Sequence, residues 1–243
     1  MKLTVIGFWG AYPEAGGATS SYLLEQDGFS LLVDCGSGAL SRLQHVKPVK
    51  ELDAVLLSHY HQDHIADIGV LQYAWLVQNV MHGTRDILPI YGHQEDPEGF
   101  QSLSHEYTKA IGYDPNQTLE IGPFSITFLL TKHPVPCYAM RITDGESAIV
   151  YTADSSFQQS FIPFAQSADL LITDCNFYGE QDGSAAGHMT SKEGAEIAKK
   201  AGVKTLLLSH LPHHGTHGQL LTEARHYFSG EISLAKEGYT FES

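Results

Sequence analysis

The 243 residues predict an α/β fold, and three observations carry that expectation. Short β-rich runs ending in Gly, Asp or His recur along the chain, and segments of helical periodicity alternate with them. In addition, nearly the same strand occurs twice, as Val55-Leu56-Leu57-Ser58-His59 and as Leu206-Leu207-Leu208-Ser209-His210. Length and a hydrophobic content of 42% suffice for a sizeable core, so one domain over 1–243 is expected, built of two similar halves.

Taken in order, β-branched and apolar residues predict strands over 3–8, 21–25 and 29–34, the last running into Asp34-Cys35-Gly36. A buried run over 54–57 makes a fourth strand, and apolar residues at helical spacing predict a helix over 68–80. That helix, with Tyr73, Trp75 and Leu76, reads as core or as a homodimer interface. A second helix is expected over 96–108, strands over 124–130, 138–143 and 147–152, and a helix over 158–166. A strand over 170–173 precedes a helix over 191–201, which Thr190 and Glu193 open as a capping box. The second copy of the repeated string gives a strand over 205–208, and a helix over 219–228 closes the list. Segments 10–19, 92–99 and 178–187 read as surface loops.

Acidic residues outnumber basic ones by 28 to 14, a formal charge of −14, so the general field repels polyanions. Stable binding of tRNA or DNA is therefore not expected. Cys35, Cys137 and Cys175 are odd in number and far apart, which points to neither disulfides nor a thiolate metal site. Met1-Lys2-Leu3-Thr4-Val5-Ile6-Gly7 reads straight into a strand, without a signal sequence, and no apolar run is long enough to span a bilayer. A cytoplasmic protein without membrane association is the resulting expectation.

The chemistry concentrates after the first repeated strand, in His59-Tyr60-His61-Gln62-Asp63-His64. Four ligand-type side chains fall within six residues. In a tight loop His59 and His61 can share one ion while Asp63 and His64 reach a second, the division found in two-metal hydrolases. Further candidates stand at strand ends: His133, Asp154 and His210. Of these, Asp154 suits a bridge, because one carboxylate offers an oxygen to each of two cations.

These motifs, with Ala18-Thr19-Ser20-Ser21-Tyr22-Leu23-Leu24, Leu32-Val33-Asp34-Cys35-Gly36 and Leu208-Ser209-His210, resemble the metallo-β-lactamase superfamily over essentially the whole chain. The resemblance implies a four-layer αββα sandwich holding two divalent metal ions, Zn2+ or alternatively Mn2+. It assigns His59, His61 and His133 to the first ion, Asp63, His64 and His210 to the second, and Asp154 to both. Asp34 would lie beneath the metal loop as scaffold.

The same fold serves many substrates. Gly187-His188-Met189-Thr190 ahead of the helix over 191–201 is similar to an element of the ribonuclease Z-like and phosphodiesterase branch, which implies His188 as general acid. Asp63 would be the general base, and Asp174 is a candidate to orient His188. Ribonuclease Z carries a long tRNA-gripping arm between its third histidine and the bridging Asp, whereas one short hairpin joins His133 to Asp154 here. The expected substrate is thus a small phosphodiester or a short nucleotide ester. A carbon-centred hydrolase such as a lactonase or thioesterase is the alternative, as is a metal-binding module without turnover. His213, His214 and His217 exceed what two ions need. Phe8, Trp9 and Tyr12 are expected to shape the pocket.

Overall fold

The computed structural model describes residues 1–243. The chain divides into two compact units, Met1–Asp114 with Glu237–Glu242 and Pro115–Lys236 with Ser243. Each is built on a seven-stranded mixed sheet.

In the first unit β1 (Lys2–Gly7), β2 (Ser21–Gln26) and β3 (Phe29–Val33) form an antiparallel meander. Three strands then add in parallel, β4 (Ala54–Leu56), β5 (Leu88–Gly92) and β6 (Thr108–Gly112). The helices are α1 (Ala39–Leu43), α2 (Gln62–Ile65), α3 (Ile68–His82) and α4 (Pro97–Ser102). Leu23, Leu32 and Val55 pack with Leu40 and Leu43 of α1 and with Leu71 and Trp75 of α3. The alternate residues Tyr22, Leu24, Leu31 and Leu56 are buried as well, so neither face of these strands is solvated.

The second unit repeats the plan. An antiparallel run of β7 (Leu119–Ile121), β8 (Phe124–Leu130), β9 (Tyr138–Thr143) and β10 (Ala148–Tyr151) is followed by parallel β11 (Leu170–Asp174), β12 (Thr205–Ser209) and β13 (Glu231–Leu234). Its helices are α5 (Phe161–Phe164), α6 (Ser191–Ala201) and α7 (His217–Arg225). The chain ends in β14 (Thr240–Glu242), which pairs with β1 and so completes the first sheet.

Most expected elements form within a residue or two of their predicted bounds, but three helices differ. The segment over 96–108 is helical only to Ser102. There Ser102 Oγ donates to the Gly99 carbonyl and Thr108 Oγ1 to that of Leu103, ending the helix, and Thr108 pairs with Leu88 to begin β6. The helix over 158–166 shrinks to four residues that include Pro163, and α7 starts at His217 and stops at Arg225. Segment 10–19 is a surface loop only in part, since Ala18 and Thr19 are fully buried.

The repeated strings do not occupy equivalent strands. Order β14-β1-β2-β3-β4-β5-β6 matches β7-β8-β9-β10-β11-β12-β13, with pairing switching to parallel at β3–β4 and at β10–β11. The counterpart of β4 is therefore β11, and that of β12 is β5. The halves are similar, but the two Leu-Ser-His strings sit one strand out of step.

Candidate metal centre

In the first unit the ligand-type residues are gathered at the carboxyl end of β4, a usual place for ligand-binding groups in parallel sheets. His59 precedes α2 and His61 lies on extended chain at its N-cap, while Asp63 and His64 fall in the single turn of α2, a helix the tight-loop reading did not anticipate. The His59 ring lies 4.9 Å from that of His61 and 4.2 Å from that of His64. Behind them Asp34, directly after β3, accepts from the Ser58 amide and hydroxyl at 2.8 Å and contacts His64 Nδ1 at 2.8 Å. A carboxylate only accepts, so Nδ1 carries the proton and Nε2 keeps its lone pair for a metal. Asp34, Ser58, His59 and His64 are all fully buried.

Backbone contacts hold this cluster to the β3 exit. The Cys35 amide donates to the His64 carbonyl at 2.7 Å, the Asp67 amide to the Cys35 carbonyl, and the Leu40 amide to Asp67 Oδ2. A Cβ at Gly36 would lie 2.0 Å from the Asp63 carbonyl oxygen, so only glycine permits the approach. From the loop after β1 the Ala11 amide donates to Asp63 Oδ2 at 2.8 Å. That loop, expected to shape the pocket, therefore reaches Asp63. Trp9 in it is buried and Tyr12 exposed.

In the second unit His133, Asp154 and His210 follow β8, β10 and β12. The Nε2 atoms of His133 and His210 stand 3.9 Å and 3.4 Å from the same Asp154 oxygen. Ligands about 2.0–2.1 Å from a shared tetrahedral ion stand roughly 3.3 Å apart, so this spacing fits donors converging on a metal. The His133 ring turns its Nδ1 to the Gly187 carbonyl at 3.1 Å, an orientation in which Nε2 is the nitrogen that could serve a metal.

Beside these three stands His188. Its Nδ1 contacts Asp174 Oδ2 at 2.7 Å, its ring stacks on that of His210 at 5.0 Å, and it meets the His133 ring edgewise at 5.4 Å. Asp174 is held by the amides of Ser155 and Asn176. Burial opposes the charged form of His188, but the adjacent Asp174 carboxylate outweighs it and raises the pKa above the ordinary value. Burial likewise opposes the charge of Asp174, and His188 overcomes it, so that carboxyl titrates below the usual range. One potential ligand atom from each of Asp154, Asp174, His188 and His210 lies within 4.8 Å of the others.

Imidazoles and carboxylates of this kind are the donor set of zinc and of neighbouring divalent ions, so the residues present fit such metals. Two of the histidines after His210 make local contacts. His217 Nε2 lies 2.7 Å from the Pro212 carbonyl, and the His214 carbonyl accepts from Tyr178 OH. The three cysteines are fully buried, and burial raises the thiols of Cys35 and Cys175 well above their usual range. Sequence reasoning passed over Asp67, Ser58 and the buried His93. Of these, Asp67 carries a signal, one turn beyond His64 at the N-cap of α3. No helix is long and apolar enough to cross a membrane.

Two mixed sheets flanked by helices, with His and Asp gathered at strand ends, define a metallo-hydrolase of the β-lactamase fold. The model of the β-lactamase superfamily domain matches residues 30–211. The chain belongs to that superfamily, and its fold is the αββα metallo-β-lactamase fold. It is 57% identical over 243 residues, all of both chains, to "Probable metallo-hydrolase YhfI" of Bacillus subtilis (strain 168). The crystal structure of that metallo-β-lactamase fold protein superimposes with a TM-score of 0.98, covering 100% of this chain and 99% of the other. A ribonuclease Z of Haloarcula marismortui is 25% identical, with 98% of this chain and 95% of the relative aligned. A diphosphatase from the PhnP family shares the fold with a TM-score of 0.78 at 17% identity, over 100% of this chain and 97% of that one.

Proposed function

We propose that the chain is a binuclear metal-dependent hydrolase of phosphodiester bonds, acting on a small phosphodiester or a short nucleotide ester. The observation that carries this reading is the Asp174–His188 couple: an imidazole outside the ligand set, fixed at Nδ1 and stacked on the ligand His210. The ribonuclease Z relative at 25% identity supports the same direction.

Following the superfamily pattern, His59, His61 and His133 would hold the first ion and Asp63, His64 and His210 the second, with Asp154 available to both. Bound there, zinc or manganese would supply an activated water and would neutralise charge on the attacked phosphorus. The chain's own residues do the rest. Asp34 and the Gly187 carbonyl fix the ring orientation of His64 and His133. Asp63, steadied by the Ala11 amide, accepts the proton of the attacking water. His188 gives a proton from Nε2 to the departing alkoxide, since Asp174 occupies its Nδ1.

The test is His188→Ala, assayed on two phosphodiesters that differ in leaving group. The variant should retain close to two ions per chain by elemental analysis and cleave a nitrophenyl ester almost as fast as the parent. An alkyl or ribose leaving group should suffer on the order of 10²-fold or more. Equal losses on both would make His188 a substrate-binding group. Turnover only on lactones or thioesters would replace phosphodiester chemistry with carbon-centred hydrolysis.

A further inference from the structure

Basic residues are few in this chain, and one run of them contains no acid. From Ala39 to Lys50 stand Arg42, His45, Lys47 and Lys50, with no Asp or Glu among them. Local ion pairs occupy two of the four: Lys47 Nζ lies 3.0 Å from Glu25, and Lys50 Nζ lies 2.8 Å from Asp86. Arg42, in the last turn of α1, pairs with Glu237 alone, whose Oε2 lies 3.3 Å from its Nε. That contact leaves the outer fork of the guanidinium, Nη1 and Nη2, without an acceptor from the chain.

The guanidinium lines a cavity of about 270 Å3 in the first unit. The floor is β1 at Val5 and Ile6, both buried, and the exposed Val46 adds an apolar wall. His45 and Glu237 stand at the same cavity. Backbone holds these walls in place. The Gly238 amide donates to the Val5 carbonyl and the Val5 amide to the Tyr239 carbonyl, both at 2.9 Å, which anchors Glu237 beside β1. The Leu40 amide ties the start of α1 to Asp67 Oδ2. Gly16 comes so near that a Cβ there would lie 2.9 Å from Arg42 Nη2, so the guanidinium is confined between a glycine and a carboxylate.

We propose that this cavity binds a free α-amino acid with an apolar side chain, apart from the metal centre and independently of the phosphodiester reading. Each part of such a ligand has a counterpart. The carboxylate takes the two Nη donors in the bidentate geometry that guanidinium and carboxylate share. The ammonium meets Glu237, whose two oxygens accept more than the single contact with Arg42. The side chain lies on Val5, Ile6 and Val46. Charge selects the zwitterion over its competitors. A dianion such as phosphate would face Glu237 with one guanidinium to neutralise it, and a simple cation would face Arg42. A chain of formal charge −14 repels anions in general, whereas a molecule without net charge is admitted. Size agrees, because the volume falls below the roughly 300–1,000 Å3 of pockets that take drug-sized molecules.

The experiment titrates L-leucine into the full, metal-loaded chain by calorimetry near neutral pH. Two truncated molecules run beside it: 4-methylpentanoate, which lacks the ammonium, and 3-methylbutylamine, which lacks the carboxylate. L-Leucine should saturate one site with a Kd of about 1 mM or tighter, and each truncated molecule should bind on the order of tenfold more weakly or worse. Arg42→Gln should weaken leucine binding by a similar factor. So should Val46→Asp, an exposed position at which the new carboxylate opposes that of the ligand. Melting curves check that both variants are folded. Lys236→Gln, exposed and next to Glu237 in sequence but not at the cavity, should bind leucine as the parent does. Absence of saturable leucine binding up to about 20 mM overturns the proposal. Equal binding of either truncated molecule removes the zwitterion. Parent-like affinity in folded Arg42→Gln and Val46→Asp proteins would put the amino acid elsewhere, as a chelate at the metal centre, and a loss in Lys236→Gln as large as in Arg42→Gln would reduce the effect to general charge; either result overturns the site.

Discussion

Asp34 and Asp174 do the same work in the two units, each holding a histidine by Nδ1, at 2.8 Å and 2.7 Å. Their surroundings separate the outcomes. The side chains of Asp34 and His64 are entirely buried, whereas His188 keeps 17% of its side chain exposed and can exchange a proton with a substrate. Tyr60, between His59 and His61, is fixed on the other side: its hydroxyl donates to the His93 carbonyl at 2.5 Å and its ring lies over Gly99. A Cβ at Gly99 would lie 2.7 Å from Tyr60 Cγ, and backbone on both sides leaves the ring little room to give way. Gly99→Ala should therefore destabilise the fold by about 1–3 kcal/mol in chemical denaturation. An unchanged midpoint would show that Tyr60 moves freely. The candidate ligands were legible because the HxHxDH spacing is local. Tyr60 and His93 were not, because their partners lie in other elements and no spacing in the sequence marks them.

Elements with local signals formed as expected and those without did not. The capping box of α6 is present with both of its reciprocal contacts, Glu193 amide to Thr190 Oγ1 and Thr190 amide to Glu193, and the helix spans Ser191–Ala201 as read from the sequence. Strands β5 and β6 escaped. Pro89 sits inside β5, where a proline argues against a central strand, and both strands owe their existence to parallel partners far along the chain. β14 has three residues and is held only by β1. The box also bears on the site, since the N-cap of α6, Thr190, stands two residues after His188. Thr190→Ala removes the acceptor for the Glu193 amide and should cost about 1 kcal/mol of stability. If His188 is positioned by this helix start, turnover on a poor leaving group should fall further than on an activated one. A stability loss without that asymmetry would leave the positioning to Asp174 alone.

For the whole molecule, a shared topology outweighs the repeated string. Both units switch from antiparallel to parallel pairing at the same place, and Asp34, directly after β3, and Ala153, two residues beyond β10, adopt left-handed backbone with φ of 56° and 50°. Such conformations are uncommon for residues other than glycine and gather where structure over-determines them. The string match suggested two halves yet misaligned them by one strand, because a Leu-rich strand ending in Ser-His reflects burial on both faces more than descent from a common position.

Scale also decides which substrates the molecule can hold. The hairpin between β9 and β10 turns at Asp144-Gly145-Glu146-Ser147, so no arm interrupts the path from His133 to Asp154, and the turn itself adds two carboxylates. With 14 basic residues against 28 acidic ones, few phosphates can be neutralised at once, and phosphate contacts supply most of the affinity for long nucleic acids. Full-length tRNA should thus bind no more tightly than about 10 μM at physiological salt, with a shallow dependence of log K on log salt. A short dinucleotide, which needs only one or two such contacts, should still be cleaved if the phosphodiesterase reading holds. Measured by filter binding across a salt series, a sub-micromolar tRNA affinity with a steep slope would mean that basic residues scattered through the sequence converge on one face, and the substrate would then be a folded RNA in place of a small ester.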